Sequence, residues 1–154
     1  MGGLNPIAPQ RTNYLVDTDV FILWKHHHQV ARKFFRQPPG PIYYSKETRK
    51  ELLHPFLSSR ERRRIVRLLK RFRRVNPDQR IVAAFSDLLV RYSYLRDHLG
   101  DALIAATALV KDLTLVTGNV RHFVPIKEIK VVSFPEILTA KMPNPHRSFR
   151  SSVS

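Results

Sequence analysis

Asn13-Tyr14-Leu15-Val16-Asp17-Thr18-Asp19-Val20 runs a short apolar stretch straight into acidic residues. Four residues bounded by a polar stop suit a buried strand, too short for a helix. The next apolar residues recur at three- and four-residue spacing and predict a helix over residues 20–35, with Asp19 as its N-cap. Pro38-Pro39-Gly40-Pro41 interrupts the chain. Ile42-Tyr43-Tyr44 then reads as a second strand, and Ser45 as the cap of a helix reaching about residue 56, with Glu47 favourable in its first turn.

Outward from that start the alternation continues. An arginine-rich helix is expected from Ser58 or Ser59 to about residue 75, then a turn at Asn76-Pro77-Asp78. A long amphipathic helix is expected over 79–99, ended by Gly100, and a helix apolar almost all round over 101–110. Residues 113–116 and 129–132 read as strands, and a short helix starts near Pro135. Strands alternating with helices predict a three-layer α/β/α domain with a mainly parallel central sheet. The expected division is an N-terminal extension over 1–12, one domain over 13–141, and a flexible basic tail over 142–154.

Length and composition narrow the function. A chain of 154 residues buries a core in one domain, and 43% hydrophobic with 25% charged residues is ordinary for a globular protein. The absence of cysteine excludes disulfide frameworks, zinc ribbons and thiol nucleophiles. Residues 1–13 lack the apolar segment of a secretory signal, and no apolar run reaches the ~20 residues that span a bilayer. The cytoplasm is therefore the expected compartment. Twenty-seven Lys and Arg against 12 Asp and Glu leave a net charge of +15, which draws polyanions, nucleic acid first among them.

In an open parallel sheet the ligand site lies beyond the carboxyl ends of the strands. Three acids fall there: Asp17 after the first strand, Glu51 in the second turn of the helix after the second strand, and Asp101 at the start of the apolar helix. Carboxylates gathered at one edge repel unless a cation joins them, which points to Mg²⁺ or Mn²⁺. Spacing alone leaves a second reading open, in which Asp17 and Asp101 only cap helices and Glu51 is a solvated side chain.

Four stretches bear on that choice. Leu15-Val16-Asp17-Thr18-Asp19-Val20 resembles the opening motif of the PIN-domain family. Ser45-x-x-Thr48-x-x-Glu51-Leu52 is similar to its second motif, and Gly100-Asp101-Ala102-Leu103-Ile104-Ala105-Ala106-Thr107-Ala108 to the third motif of VapC-like toxins. Leu115-Val116-Thr117-Gly118-Asn119-Val120-Arg121-His122-Phe123 resembles the fourth. The resemblance covers residues 13–134. It implies a metal-dependent endoribonuclease, dimeric, held inactive by a cognate antitoxin, with RNA as substrate and no membrane partner. Asp17, Glu51 and Asp101 would be the metal-holding and catalytic acids, joined by Thr117 and Asn119. Many relatives carry an aspartate at or just after the position of Asn119, where this chain has Asn119 and then His122. Water acting as nucleophile would leave a 5′-phosphate and a 3′-hydroxyl. The alternatives are a PIN nuclease of RNA maturation or decay, or a catalytically impaired RNA-binding or interaction domain.

Nine of the fifteen residues from Arg60 to Arg74 are Lys or Arg. With Ile65, Val66, Leu68, Leu69 and Phe72 at helical spacing, one face packs. The other carries Arg62, Arg63, Arg67, Lys70, Arg73 and Arg74 as an RNA-backbone stripe near the acidic pocket. A solvated face or a groove for an acidic antitoxin is the competing reading. His26-His27-His28 reads as a polar helix face, because neighbours about 100° apart cannot share one ion. Trp24 reads as core or dimer contact, and Tyr92 and Tyr94 as residues able to stack on bases.

Overall fold

The computed structural model describes residues 11–138. The 142–154 tail and nearly all of the 1–12 extension lie outside the described residues. Five strands, β1 (Tyr14–Val16), β2 (Ile42–Ser45), β3 (Arg73–Val75), β4 (Thr114–Thr117) and β5 (Lys130–Ser133), form one sheet in the order β3-β2-β1-β4-β5. Every neighbouring pair is parallel.

The helices are α1 (Thr18–Lys25), α2 (Gln29–Arg36), α3 (Lys46–Leu52), α4 (Ser59–Leu69), α5 (Gln79–Arg91), α6 (Leu99–Val110) and α7 (Val120–Phe123). Strand alternation separates two cores. Tyr14, Val16, Ile42, Tyr44 and Val116 pack with Phe21, Phe34, Phe35, Ile65 and Leu69 from α1, α2 and α4. On the other face Leu15, Val75 and Leu115 meet Ile81, Leu88, Ile104 and Ala105 from α5 and α6. The expected three-layer arrangement is present. None of the helices among the described residues is long and apolar enough to cross a membrane.

Three segments depart from expectation. The helix expected over 20–35 is two helices: His27 has φ 62°, and His28 caps α2 through Nδ1 facing the Ala31 amide at 3.4 Å. The three histidines make the break between helices and share no helical face. The arginine-rich helix stops at Leu69, and Arg73–Val75 is the edge strand β3. Arginines on an outermost strand blunt its open edge, but at the level of sequence they continue the helical charge pattern. The helix expected over 79–99 ends at Arg91, a 3₁₀ turn spans Ser93–Asp97, and Gly100 lies inside the first turn of α6.

Candidate metal-dependent nuclease site

Strands β2 and β3 lie on one side of β1, and the chain returns on the other side through β4. The crevice between the carboxyl ends of β1 and β4 is therefore the topological switch point, where open α/β sheets take their ligands. Asp17 leaves β1 there, and Thr117 closes β4 beside it.

Asp17, with 7% of its surface exposed, is the N-cap of α1, the place sequence reading gave to Asp19. Its Oδ1 accepts from the Thr18 amide at 2.7 Å, and its Oδ2 from the Thr117 hydroxyl at 2.9 Å. The Asn119 amide donates to the Thr117 oxygen at 3.0 Å, so β4 and the following turn are tied to the carboxylate. Burial, reinforced by the negative charge of Asp19, pushes Asp17 up to about 6, with the Thr117 and Thr18 contacts opposing and Asp101 adding to the rise.

Asp19 is the site acid that sequence reading reduced to a cap. Its Oδ2 accepts from the Gly118 amide at 2.8 Å. Its Oδ1 is buried with no partner among the described residues. Burial raises its affinity for a proton, and Asp101 adds to that. The Asp17-x-Asp19 spacing was a usable signal, since both acids sit on the first turn after β1. Gly118 leaves room for this contact, because a Cβ there would lie 2.8 Å from Asp19 Oδ2. Gly118→Ala should therefore displace the carboxylate and weaken divalent-ion binding. Loss of one charge-assisted bond should lower stability by only about 1–2 kcal/mol. Thermal melts with and without Mn²⁺ separate the two effects.

Glu51 is exposed near the end of α3. Partial burial, with Glu47 and Asp101 adding to it, raises the proton affinity of its carboxyl, and the Thr18 side chain opposes the rise. The Thr18 hydroxyl also lies 2.8 Å from that of Thr48, to which the Ser45 hydroxyl donates at 3.1 Å. All three are buried, so a hydroxyl ladder locks α1 to α3 beneath the acids. This gives the Ser45-x-x-Thr48-x-x-Glu51 spacing its physical reason. The charge of Asp101 bears on Asp17, Asp19 and Glu51 alike, so it lies within electrostatic reach of all three at this edge of the sheet.

Asp101, in the first turn of α6, also meets the fourth motif. Its Oδ2 lies 2.7 Å from His122 Nδ1, and Asn119 Nδ2 lies 2.8 Å from the same nitrogen. Beside a carboxylate that nitrogen carries the proton and donates, so the Asn119 amide must face it with its oxygen.

The placement of Asp17 and Asp19 at the switch point is matched by the comparison with known proteins, in which a family model described as PIN domain fits residues 14–128. The chain belongs to the PIN-domain family. Within that family it is similar to ribonuclease VapC10 of Mycobacterium tuberculosis, 40% identical over 121 residues, which are 75% of this chain and 90% of that protein. A toxin–antitoxin complex from Klebsiella pneumoniae contains a chain with TM-score 0.66 and 27% identity, covering 77% of this PIN protein and 95% of its counterpart. VapBC-1 of nontypeable Haemophilus influenzae, at 22% identity and TM-score 0.62, covers 79% and 98% and shares the fold.

Other features singled out in sequence have structural employment. Trp24 packs against the first core under the Arg64 guanidinium, 4.1 Å from its ring centre. Tyr92 donates to Glu128 at 2.7 Å and Tyr94 to the His122 carbonyl at 2.6 Å, which ties down the hydroxyl ends of both rings. Of the basic stripe, Arg62, Arg63 and Arg67 lie on α4 and Lys70 caps it, all exposed, whereas Arg73 and Arg74 project from β3. Arg62 donates to the Leu53 carbonyl at 3.3 Å, two residues beyond Glu51. Arg64 reaches the Trp24 and Lys25 carbonyls at the far end of α1 from Asp17, about 12 Å along that helix. The stripe thus starts near the acids and runs away from them.

Proposed function

We propose that this PIN protein is a metal-dependent endoribonuclease, the toxin of a toxin–antitoxin pair. The observation that carries the reading is Asp17 and Asp19, held at the switch point by Thr117 and Gly118 with the charge of Asp101 bearing on both, in a chain of net charge +15. The orphaned Asp19 Oδ1 and the all-oxygen donors fit a hard divalent cation, Mg²⁺ or Mn²⁺. Asp17 and Asp101 would hold it, with Glu51 either helping to hold it or acting as general base. When bound, such an ion activates water for attack on phosphorus and offsets charge on the phosphate oxygens.

The remaining roles belong to the chain. Thr117 fixes the Asp17 carboxylate, Asn119 braces Thr117 and His122, and Glu51, at the exposed rim, would take the proton from the attacking water where it does not help hold the ion. The likeness to VapC10 and to a chain from a toxin–antitoxin complex supports RNA as substrate and an antitoxin as partner. A homodimer and a cytoplasmic setting complete the proposal, with residues 13–141 as the nuclease domain. Incubating total RNA with chelator-stripped protein tests it. Cleavage should appear on adding Mn²⁺ or Mg²⁺ and disappear with chelator. Cleavage that persists without metal refutes the reading.

Arg62, Arg63, Arg67, Lys70, Arg73 and Arg74 would attract the RNA backbone that the acids repel. Reversing Arg63, Arg67 and Lys70 to Glu should raise KM and flatten the salt dependence, since each phosphate left without its cation takes about 0.7–0.9 off the slope. Single-turnover cleavage at saturating RNA should change little, because these cations supply uniform binding. An unchanged salt slope assigns the stripe to the antitoxin instead.

A further inference from the structure

His98, Asp101 and His122 each present a ligand atom within 4.8 Å of the others. We propose that they form a second cation site, selective for a borderline divalent ion of the Zn²⁺ class, beside the all-carboxylate centre. The site shares Asp101 with the proposed nuclease centre but does not require that centre to be active.

The three residues come from two segments braced against each other. His98 precedes the first turn of α6 and Asp101 lies within it, so spacing of three brings them to one side of the helix end. His122 stands on α7, held by the Tyr94 hydroxyl on its carbonyl at 2.6 Å, and Tyr94 belongs to the 3₁₀ turn that leads into His98. The two imidazole rings lie 4.7 Å apart between centres, tilted by 43°. No side-chain hydrogen bond engages His98 among the described residues, so its ring nitrogens are free to ligate. His98 is exposed and the other two are half-buried, which leaves the site open to ions from solvent.

The donor set chooses the ion. Two imidazoles and one carboxylate suit Zn²⁺, Fe²⁺ or Ni²⁺, whereas Mg²⁺ prefers oxygen alone. Ligands about 2.0–2.2 Å from a tetrahedral ion lie about 3.3–3.6 Å apart. The three ligand atoms lie within 4.8 Å of one another, so side-chain rotation, with the His122 Nδ1 proton given up or Nε2 turned inward, would complete the set. Three protein ligands leave a position for water or a phosphate oxygen, as in catalytic rather than structural zinc sites.

The test uses the full chain, stripped by chelator, in excess Mg²⁺ to fill the carboxylate centre. Titrated Co²⁺ should develop visible ligand-field absorption to one equivalent, and Zn²⁺ should displace it. His98→Ala and His122→Ala should each abolish the bands and weaken Zn²⁺ at least about 100-fold, beyond the 10–100-fold lost with outer partners alone. Asp17→Asn should retain them. Circular dichroism confirms folding, and His98→Gln, which keeps the volume and polarity, should behave as His98→Ala. Absence of the bands in the parent, or Zn²⁺ affinity in a folded histidine variant within about threefold of the parent, overturns the site. RNA cleavage in Mg²⁺, measured in parallel on the parent, reports on the nuclease reading separately.

Discussion

Asp17→Asn and Asp101→Asn should each slow single-turnover RNA cleavage by at least about 10²–10³-fold, the scale of losing one preorganised charge-stabilising group. The substitutions keep side-chain volume and remove a negative charge where Asp17, Asp19 and Glu51 lie within electrostatic reach of Asp101. Loss of cation binding, not loss of fold, is the expected cause, and circular dichroism of the variants distinguishes the two. Asp101→Asn also removes the carboxylate 2.7 Å from His122, so it should be the more damaging. Parental rates in both variants at limiting Mn²⁺ would move the activity elsewhere on the molecule.

Asp17→Asn should at the same time make the metal-free protein more stable near neutral pH. Burial first, and then Asp19, lifts the Asp17 carboxyl from its usual 3.8 to about 6. A group raised on folding favours the folded state below its unfolded value, and that advantage is lost as pH rises through the folded value. Above about pH 6 the charged, buried Asp17 therefore opposes folding by roughly 3 kcal/mol, from about two units at 1.36 kcal/mol each. Asparagine removes that opposition but loses one of the two accepted hydrogen bonds, about 1 kcal/mol. The net gain of about 2 kcal/mol should raise Tm by several degrees at pH 7.5 and vanish near pH 4. Saturating Mn²⁺ should reverse the order, since ligand at 100 times Kd stabilises the parent by about 2.7 kcal/mol and the variant hardly at all. Calorimetry at the two pH values, with and without Mn²⁺, checks both signs.

What could be read from sequence follows from how local each determinant is. The apolar runs of β1, β2, β4 and β5 and the acids that end or follow them are short-range signals, so the layer order and the placement of Asp17, Glu51, Asp101 and Thr117 at strand ends and on the helices that follow were legible. β3 was not, because Arg73-Arg74-Val75 has no apolar alternation; its strand form comes from pairing with β2, through registers such as Tyr43 with Arg73. The break at His26–His28 rests on one left-handed residue, His27, of a type that carries no strong turn signal. Asp19 was legible only as a cap, because a cap and a site acid look alike until the Gly118 amide, 99 positions away, is seen to hold one oxygen. His98 met His122 only through the packing of α6 against α7.

The chemistry of the RNA ends tests the account most directly. If Asp17 and Asp101 hold a divalent cation that supplies the attacking water, cleavage would leave a 5′-phosphate and a 3′-hydroxyl, and only with the metal added. Histidines acting on the ribose 2′-hydroxyl without metal would leave a 2′,3′-cyclic phosphate and a 5′-hydroxyl. Products from purified protein, mapped by ligation and by mass spectrometry, should all be of the first kind and absent under chelation. Cyclic-phosphate ends formed in chelator would contradict the metal-centred account.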